Sequence, residues 1–303
     1  MPWSAPAQPG RKPLRGIFPI AQTPFTASGD LDVEALVAEL RFIHRGGVHG
    51  FVWPQLASEW SSLTEAERLQ GAEALLAAGR KLRPAIVIGV QAASTAEAVR
   101  YARHAGKLGA DALISLPPAK ADQAAQAAYY QELGRATALP LFLQAVGDMS
   151  VATILDIYRH TPTLRYVKDE AGQPLLRMAP LREGSGGELN IFTGSHGRTL
   201  IDEMIRGSSG SMPAASFADL YAAAWDLWHA GERREAAEMF GRASVLIGEV
   251  GAYGIESLKY ILYLRGVFHT WSTREKAPAS RLDETGKQVL REILDLYKPY
   301  LRA

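Results

Sequence analysis

The chain has 303 residues, of which 47% are hydrophobic, so it is long enough for one large core or two modest ones. Lys and Arg number 33 against 32 Asp and Glu, and this balance excludes the strong overall field that attracts nucleic acid or an anionic membrane surface. The absence of cysteine excludes a disulfide scaffold, a thiol nucleophile and a thiolate metal site, and we expect a cytoplasmic protein.

The first segment of the chain, residues 1–14, is rich in proline and lacks the apolar stretch of a signal peptide. We expect it to be a lead-in that precedes the folded domain. No apolar run along the chain approaches the roughly 18 to 20 residues that a membrane crossing requires, so we expect no membrane partner.

From Arg15 onward, short apolar runs alternate with longer amphipathic segments. Most of the short runs lack a polar residue at every second position, which is typical of parallel strands buried on both faces. Eight runs predict strands, namely “GIFPIAQ”, “GFVWP”, “AIVIGV”, “ALISLPP”, “LPLFLQAV”, “LRYVK”, “NIFTGS” and the weaker “GSSGSMPA”. Apolar residues at helical spacing predict helices over Val33–His44, Glu65–Ala78, Thr95–Lys107, Gln123–Ala136, Val151–Tyr158, Pro174–Leu181, Arg198–Ile205 and Phe217–His229.

Eight strand–helix units in succession predict a TIM (β/α)8 barrel over residues 15–230. Residues 231–303 contain no strand-like run and predict three more helices, which form a C-terminal helical extension. The alternative is a doubly wound open sheet, because the eighth run is weak. Residues that favour helix N-caps precede six of the helices: Asp32, Thr64, Ser94, Asp122, Ser150 and Ser216. Thr64–Glu67 and Ser94–Glu97 also have the spacing of a capping box.

In a barrel of this class the catalytic residues lie at the C-terminal ends of the strands. Lys168 is the one lysine that ends a predicted strand, since Lys120 comes several residues into its loop. Desolvation there lowers the pKa of an amine and prepares it to form a Schiff base. The alternative is an inert lysine on the rim, paired with Asp169 or Glu170. Neighbours on a strand point to opposite faces, so Asp169 need not face the amine.

The order of elements and the segment “KDEAG”, which begins at Lys168, resemble the N-acetylneuraminate lyase and dihydrodipicolinate synthase family of pyruvate-type class I aldolases. The similarity extends from Arg15 to about Val267 and includes “PIAQTPF”, “ASEWSSLTEAER”, “VIGV”, “ADALISLPP”, “LPLFLQ” and “FTGSHG”. The resemblance implies that Lys168 forms a Schiff base with a small 2-oxo acid such as pyruvate, with no cofactor and no metal. It also implies a homo-oligomer, commonly a tetramer.

The chain departs from this family at positions that hold substrate and move protons. The family's Gly-Thr-Thr loop is “QLAS” here, so both threonine hydroxyls are lost to Leu56 and Ala57. Gln144 replaces the family's proton-shuttling tyrosine, and an amide is neither an acid nor a base near neutral pH. The family's aromatic pair after the fourth strand is Ala119–Lys120, and the arginine of the synthase subgroup falls near Met149. We therefore expect neither dihydrodipicolinate synthesis nor sialic acid cleavage.

Other side chains at strand ends are candidates for the missing roles. His196 has a suitable pKa for proton transfer, and the alternative is a solvent-facing residue at a helix start. Ser58, together with the backbone at Ala57, is a candidate to hold the substrate carboxylate, and the alternative for Ser58 is to shape a turn. Lys120 is a candidate to bind a carboxylate or phosphate, against a solvated loop position. Met212, after the eighth run, completes the substrate-binding set.

The predicted catalytic set is thus Lys168, with Gln144 orienting water or substrate and His196 moving protons. Glu170 is a candidate carboxylate beside the imine, with loop solvation as its alternative, and Ser195 is a candidate helix cap. The predicted function is a Schiff-base lyase for carbon–carbon cleavage, condensation or dehydration of a 2-oxo acid. Two alternatives stay open: a degenerate barrel that only binds a ketoacid, and a metal-assisted barrel enzyme.

Overall fold

The structure is a computed structural model that describes residues 12–274 and 282–303. Most of the predicted lead-in, residues 1–11, lies outside the described residues. The strands are β1 (Gly16–Ile17), β2 (Gly50–Trp53), β3 (Ala85–Gly89), β4 (Ala112–Ser115), β5 (Leu141–Ala145), β6 (Leu164–Asp169), β7 (Asn190–Thr193) and β8 (Gly210–Ser211). The α-helices are α1 (Val33–Arg45), α2 (Glu65–Gly79), α3 (Thr95–Leu108), α4 (Gln123–Ala136), α5 (Val151–His160), α6 (Pro174–Gly184), α7 (Leu200–Ile205), α8 (Ala218–Ala230), α9 (Arg233–Tyr253), α10 (Ile255–Leu264) and α11 (Glu284–Tyr297).

The eight strands form one sheet in the order β1-β8-β7-β6-β5-β4-β3-β2, with a helix after each strand along the chain. From β3 to β8 each strand pairs in parallel with its neighbours in sequence, as successive strand–helix–strand units require. A doubly wound sheet would reverse its strand order at a switch point, and this order has no such reversal. The predicted (β/α)8 fold is confirmed, as are the three C-terminal helices.

The chain divides into two compact units, which are described separately here. The first contains Ala85–Met212 and therefore the strands from β3 to β8. The second contains Gly16–Pro84 and Pro213–Ala303, and therefore β1, β2 and the helices from α8 onward. The predicted boundary between barrel and extension at residue 231 stays a prediction.

The core of the first unit is built on strands that are buried along their whole length, as the unbroken apolar runs predicted. Every residue of β3, β4 and β5 is buried. Phe142 of β5 stacks on Tyr166 of β6 with 4.3 Å between ring centroids, and Phe192 of β7 packs edge-on at 5.3 Å from Phe142. These aromatic contacts join β5, β6 and β7, the three strands that carry the site described below.

In the second unit a buried ion pair holds the segment that follows β2. Glu59 is fully buried and pairs with Lys259 of α10, which also donates to the carbonyl of Ser272 at 2.8 Å. The backbone N–H of Arg274 donates to Glu59 at 2.7 Å. A buried carboxylate must be paired and hydrogen-bonded to remain charged, and here it is both. Glu59 thus ties its loop to the C-terminal helices of the same unit.

Most of the predicted helix starts are confirmed by their caps. Asp32, Thr64, Ser94, Asp122 and Ser150 each accept a hydrogen bond from a backbone N–H in the first turn of their helix. At Thr64 the side chain of Glu67 returns a bond to the cap backbone and completes a capping box. The prediction for Ser216 is wrong, because a 3-10 turn at Ala215–Phe217 precedes α8 and places Phe217 at its N-cap position.

The first and last strands are the shortest, with two residues each. The predicted first run is longer, but Pro19 within it has no N–H to donate to a ladder. The eighth run consists largely of Gly and Ser, which favour strands weakly. Among the described residues, no helix combines the length and the apolar composition that a membrane crossing requires.

Candidate active site

Lys168 is the fifth residue of β6 and lies opposite Gln144 of β5 and Phe192 of β7 in the parallel ladder. It is 4% exposed. Since β6 ends one residue later, the amine lies at the C-terminal end of the strand, where the fold places catalytic groups. The register therefore brings Lys168 and Gln144, two members of the predicted catalytic set, to the same level of neighbouring strands.

The amine of Lys168 is paired with Glu170, two residues further along the chain. Nζ of Lys168 lies 2.9 Å from Oε2 of Glu170, and the two side chains are 5% and 18% exposed. The backbone N–H of Glu170 donates to the carbonyl of Ala145 at 2.9 Å, which continues the ladder past the end of β6. The alternative of a solvated Glu170 is wrong, because its side chain is 18% exposed and lies against the amine.

Two further donors fix the Glu170 carboxylate. Nε2 of Gln144 donates to Oε2 at 2.6 Å, and the backbone N–H of Ser195 donates to Oε1 at 2.8 Å. Burial by itself raises the pKa of Glu170, but the charge of Lys168 and these hydrogen bonds outweigh it, so the pKa lies below the ordinary value for Glu. Glu170 is therefore a carboxylate at neutral pH, held beside the amine by three donors.

The donor at Ser195 comes from an unusual turn that follows β7. Ser195 and His196 both have left-handed backbone, with φ of 51° and 59°, and non-glycine residues adopt this conformation at a cost of roughly 1 to 3 kcal/mol each. Such strain is concentrated at functional sites. The predicted role of Ser195 as a helix cap is wrong, since the residue at the N-cap of α7 is Thr199.

Gly194, which precedes this turn, lies so close to the ion pair that a side chain would not fit. A Cβ built on Gly194 would overlap the Glu170 carboxylate and lie 2.7 Å from Cε of Lys168. Only glycine leaves room for the carboxylate to reach the amine at this point. The segment “FTGSHG” matches the family in sequence, but the need for glycine at Gly194 follows from its contact with Glu170 and Lys168 after the neighbouring strand.

His196 lies within the electrostatic field of the same pair. Burial lowers its pKa, the positive charges of Lys168 and Arg198 lower it further, and the negative charge of Glu170 opposes them. The neutral imidazole is thus the favoured form near neutral pH. The structure places His196 near the predicted nucleophile, and its catalytic role stays a prediction.

Asp169, between Lys168 and Glu170 in sequence, points away from the amine as strand geometry predicted. Its Oδ2 accepts a hydrogen bond from Nε of Arg177 on α6 at 2.7 Å, and its Oδ1 accepts one from the N–H of Ala171 at 3.2 Å. Burial raises the pKa of Asp169, although the Arg177 guanidinium opposes the shift. Asp169 therefore anchors β6 to α6.

Two tyrosines of α4, Tyr129 and Tyr130, have their hydroxyls hydrogen-bonded to Ser115 of β4. Tyr130 lies behind the end of β4, where its hydroxyl donates to the carbonyl of Ser115 at 2.8 Å. Burial raises the pKa of Tyr130 well above its ordinary value. Tyr129 shares a 2.6 Å hydrogen bond with the hydroxyl of Ser115. These hydroxyls hold the middle of α4 against β4.

Two members of the predicted substrate-binding set lie elsewhere in the first unit. Met212 is buried just after β8, and its N–H donates to the carbonyl of Thr193 at 2.8 Å. Lys120 is exposed in the loop after β4, with a left-handed φ of 59°. In the described part of the chain, neither forms a hydrogen bond or ion pair with Lys168. Their binding roles stay predictions.

Ser58 and Ala57 lie in the second unit, on a 3-10 turn at Leu56–Ser58. The hydroxyl of Ser58 donates to the carbonyl of Ala21 and accepts from the N–H of Gln55 at 3.0 Å. The hydroxyl of Thr23 donates to the Ser58 carbonyl at 2.5 Å. These bonds are those of a residue that shapes a turn. A substrate role for Ser58 and Ala57 stays a prediction.

A cavity of about 630 Å³ in the first unit is lined by residues at the ends of β6 and β7 and on α6 and α7, and Lys168 and Gln144 are not among them. Its lining includes Glu170, Gly194, Ser195, Arg198 and Thr199. Pockets of this size hold small-molecule ligands in many proteins. Across the described ranges, His, Asp and Glu side chains form no group of three or more that could hold a metal ion.

Comparison with protein families matches residues 13–296 to the Dihydrodipicolinate synthetase family. A 4-hydroxy-tetrahydrodipicolinate synthase of Rhizobium meliloti is 31% identical over 167 residues, which are 53% of this chain and 56% of that protein. A DapA-like lyase of Chloroflexus aurantiacus, itself uncharacterized, is 30% identical over 233 residues, which are 72% of this chain and 76% of the relative.

Solved structures share the fold over almost the full chain. YagE, a prophage protein of the dihydrodipicolinic acid synthase family from Escherichia coli K12 that was solved in complex with pyruvate, superimposes with a TM-score of 0.84. The two chains are 21% identical, and the match covers 94% of this chain and 99% of YagE. At that identity the likeness shows the fold alone.

Proposed function

The chain belongs to the dihydrodipicolinate synthetase family, and from this membership we propose that it is a Schiff-base-forming lyase that acts on a 2-oxo acid through Lys168. The family is one of lyases, and the class of enzyme follows from membership. The reaction of this particular chain is the part that we propose.

One observation carries the proposal: Lys168 is buried at the C-terminal end of β6 with a carboxylate against its amine, whereas the inert alternative, which also pairs it with Glu170, places it on the solvated rim. An amine attacks a carbonyl only in its neutral form, so it needs a group nearby that accepts its proton. Glu170, at 2.9 Å, is within reach to do so.

The imine that Lys168 forms would serve as an electron sink. A protonated imine at C2 of a 2-oxo acid stabilises negative charge at C3, which allows carbon–carbon cleavage, condensation or dehydration. Dihydrodipicolinate synthesis is not part of the proposal, because Gln144 and Met149 stand where that subgroup has its tyrosine and its arginine. The complex of YagE with pyruvate supports pyruvate as the first compound to test.

The decisive experiment traps the imine. The protein is incubated with pyruvate, reduced with borohydride and digested. The mass of the peptide that contains Lys168 is then measured by mass spectrometry. We expect the mass of the reduced adduct on that peptide and none in Lys168→Arg. Unlabelled, folded protein after incubation with pyruvate and with larger 2-oxo acids would contradict the proposal. An adduct without turnover of any 2-oxo acid would favour the ketoacid-binding alternative.

We also propose a cytoplasmic homotetramer, on the basis of the family resemblance and the absence of cysteine. Light scattering of the purified protein measures the mass of the assembly, and a chain that stays monomeric at micromolar concentration would contradict this part.

A further inference from the structure

We propose that Glu170 is a catalytic residue: it carries the protons in imine formation at Lys168, in place of the tyrosine that Gln144 replaces. This inference rests on the proposed function, because it concerns the same amine. It assigns a role that the family's own residues do not fill in this chain.

The contact between the two side chains is direct. Oε2 of Glu170 lies 2.9 Å from Nζ of Lys168, the atom that would attack the substrate. A general base must lie within about 2.6 to 3.2 Å of the proton that it removes, and this distance meets that requirement. The other carboxylate oxygen is held by the N–H of Ser195 at 2.8 Å, so the group cannot rotate away from the amine.

Other polar groups close to the amine are less suited to this task. Gln144 has an amide, which neither takes nor gives a proton near neutral pH. Tyr130 is committed to the Ser115 carbonyl, and Asp169 is committed to Arg177. His196 lies in the field of Lys168 and keeps its predicted role in proton transfer, whereas the carboxylate of Glu170 contacts Nζ directly.

The electrostatics of the pair favour the proton on Lys168 before substrate arrives. While Lys168 is an ammonium, its charge keeps Glu170 ionised. Transfer of one proton converts the two charges into a neutral amine and a neutral acid, and burial favours neutral groups over charged ones. In the resting pair the attraction of the ammonium and the hydrogen bonds outweigh burial, because the pKa of Glu170 lies below its ordinary value, so the proton transfer is uphill and Glu170 returns the proton readily.

The reaction can be written with all protons assigned. The Lys168 ammonium gives a proton to the Glu170 carboxylate, and the free amine attacks C2 of the 2-oxo acid to form the N–C bond. Glu170 protonates the new alkoxide and takes a proton from the attached nitrogen, which gives a neutral carbinolamine. Glu170 then protonates the carbinolamine hydroxyl, which leaves as water, and the C2–N double bond forms. The products are a protonated imine, one water molecule and the original carboxylate.

Gln144 is then a positioning residue. Its Nε2 holds Oε2 of Glu170 at 2.6 Å, whereas its Oε1 is buried and has no hydrogen-bond partner among the described residues. A buried carbonyl oxygen without a partner is unfavourable and points to a group that is supplied from outside the protein. A substrate hydroxyl or the water released in the reaction would satisfy it.

The test measures the rate of imine formation, with pyruvate as the probe. Samples are quenched with borohydride at increasing times, and the labelled fraction of Lys168 is followed by mass spectrometry. We expect Glu170→Gln to slow labelling by about 100-fold, since general acid–base catalysis contributes roughly 10²- to 10⁴-fold. Glu170→Asp, which keeps a carboxylate, should be intermediate. In Glu170→Ala, added formate should restore the rate in proportion to its concentration.

The matched control is Glu203→Gln, the same change at a buried carboxylate whose hydrogen bonds go to Thr193 and Thr199. It should label Lys168 at close to the wild-type rate. Wild-type labelling rates in Glu170→Gln, or a Glu170→Ala protein that folds but ignores formate, would overturn the role of Glu170 and leave the proposed function in place. A folded wild-type protein that is never labelled at Lys168 would overturn both.

Discussion

The side-chain amide of Gln144 donates to the carboxylate of Glu170 across 2.6 Å, from one strand to the end of the next. A residue that replaces a family tyrosine thereby contacts the group that, in our proposal, replaces its chemistry. The substitution at Gln144 and the carboxylate at Glu170 are two parts of one arrangement.

This contact predicts a shift in pH dependence. Glu170 must begin the cycle as a carboxylate, so labelling by pyruvate should decline as pH falls through its pKa. The bond from Gln144 is one of the factors that lower this pKa. Gln144→Ala should therefore raise the pKa and move the acidic limb to higher pH by about one unit, since a hydrogen bond to a charged group contributes roughly 1.5 kcal/mol.

The rate of labelling against pH, in wild type and in Gln144→Ala, checks this expectation. Lys168, His196 and Arg198 are also charged or titratable near Glu170, and both proteins retain them. The control is Gln126→Ala on α4, which removes an amide that donates to the carbonyl of Ala121, before the start of the helix. Identical acidic limbs in the wild type and Gln144→Ala would contradict the coupling.

Gly194→Ala should abolish labelling while the protein still folds. The added methyl overlaps the Glu170 carboxylate, so the carboxylate and Lys168 must separate. Borohydride labelling and the thermal unfolding midpoint are measured on the same samples. The control is Gly241→Ala on an exposed face of α9, where a Cβ meets nothing within 4 Å and helix propensity should stabilise the protein by about 0.8 kcal/mol. Full labelling in Gly194→Ala would show that the close approach is not needed.

Asp219→Ala should destabilise the protein strongly. Its carboxylate receives two hydrogen bonds from Arg265, at 2.9 and 2.7 Å, and the side chains are 1% and 4% exposed. Removal of one partner from a buried ion pair leaves a charge without compensation, which costs about 3 to 5 kcal/mol.

The control for this pair is Glu132→Gln, because Glu132 and Arg135 form an ion pair whose side chains are 53% and 68% exposed. Exposed pairs contribute roughly 0 to 1 kcal/mol, so the control should unfold like the wild type. Chemical denaturation of both variants gives the comparison, and similar losses at the two sites would be inconsistent with the burial of Asp219.

Acid should weaken the second unit through Glu67. The bidentate bonds from Arg274 lower the pKa of Glu67 from 4.5 to about 2. Because the pKa of Glu67 is lower in the folded than in the unfolded protein, the ion pair stabilises the fold fully at pH values above 4.5, the ordinary pKa of the carboxyl. This stabilisation is lost as the pH falls from there toward about 2. We expect Glu67→Gln to lower the unfolding midpoint at pH 7 and to matter little near pH 2. Because the pair is partly exposed, the effect at pH 7 should be about 1 kcal/mol.

Thermal unfolding of wild type and Glu67→Gln at a series of pH values tests this sign. Glu65→Gln, two residues earlier on α2, serves as the control. A difference between wild type and Glu67→Gln that grows as pH falls would contradict the prediction.

Much of the fold follows from local pattern. Apolar runs bounded by turn residues placed all eight strands, and the capping residues placed most helix starts within a residue or two. The expectation for Ser216 is wrong. The N–H of Ala218, the first residue of α8, donates to the carbonyl of Ala215 in a 3-10 turn and not to a side-chain cap. The sequence carries no signal for that choice. The shortness of β8 likewise reflects how few residues of a Gly- and Ser-rich segment fit the ladder.

The sequence by itself determined the fold class and the position of Lys168 at a strand end. The spacing of apolar residues is a local property that decides whether a segment forms a helix or a strand and which of its faces is buried. The tertiary structure decided what surrounds the amine. Glu170 meets Lys168, Gln144 and the N–H of Ser195 only because β5, β6 and the turn after β7 lie side by side. Residues that are distant along the chain converge through the register of parallel strands, and no local spacing encodes that convergence.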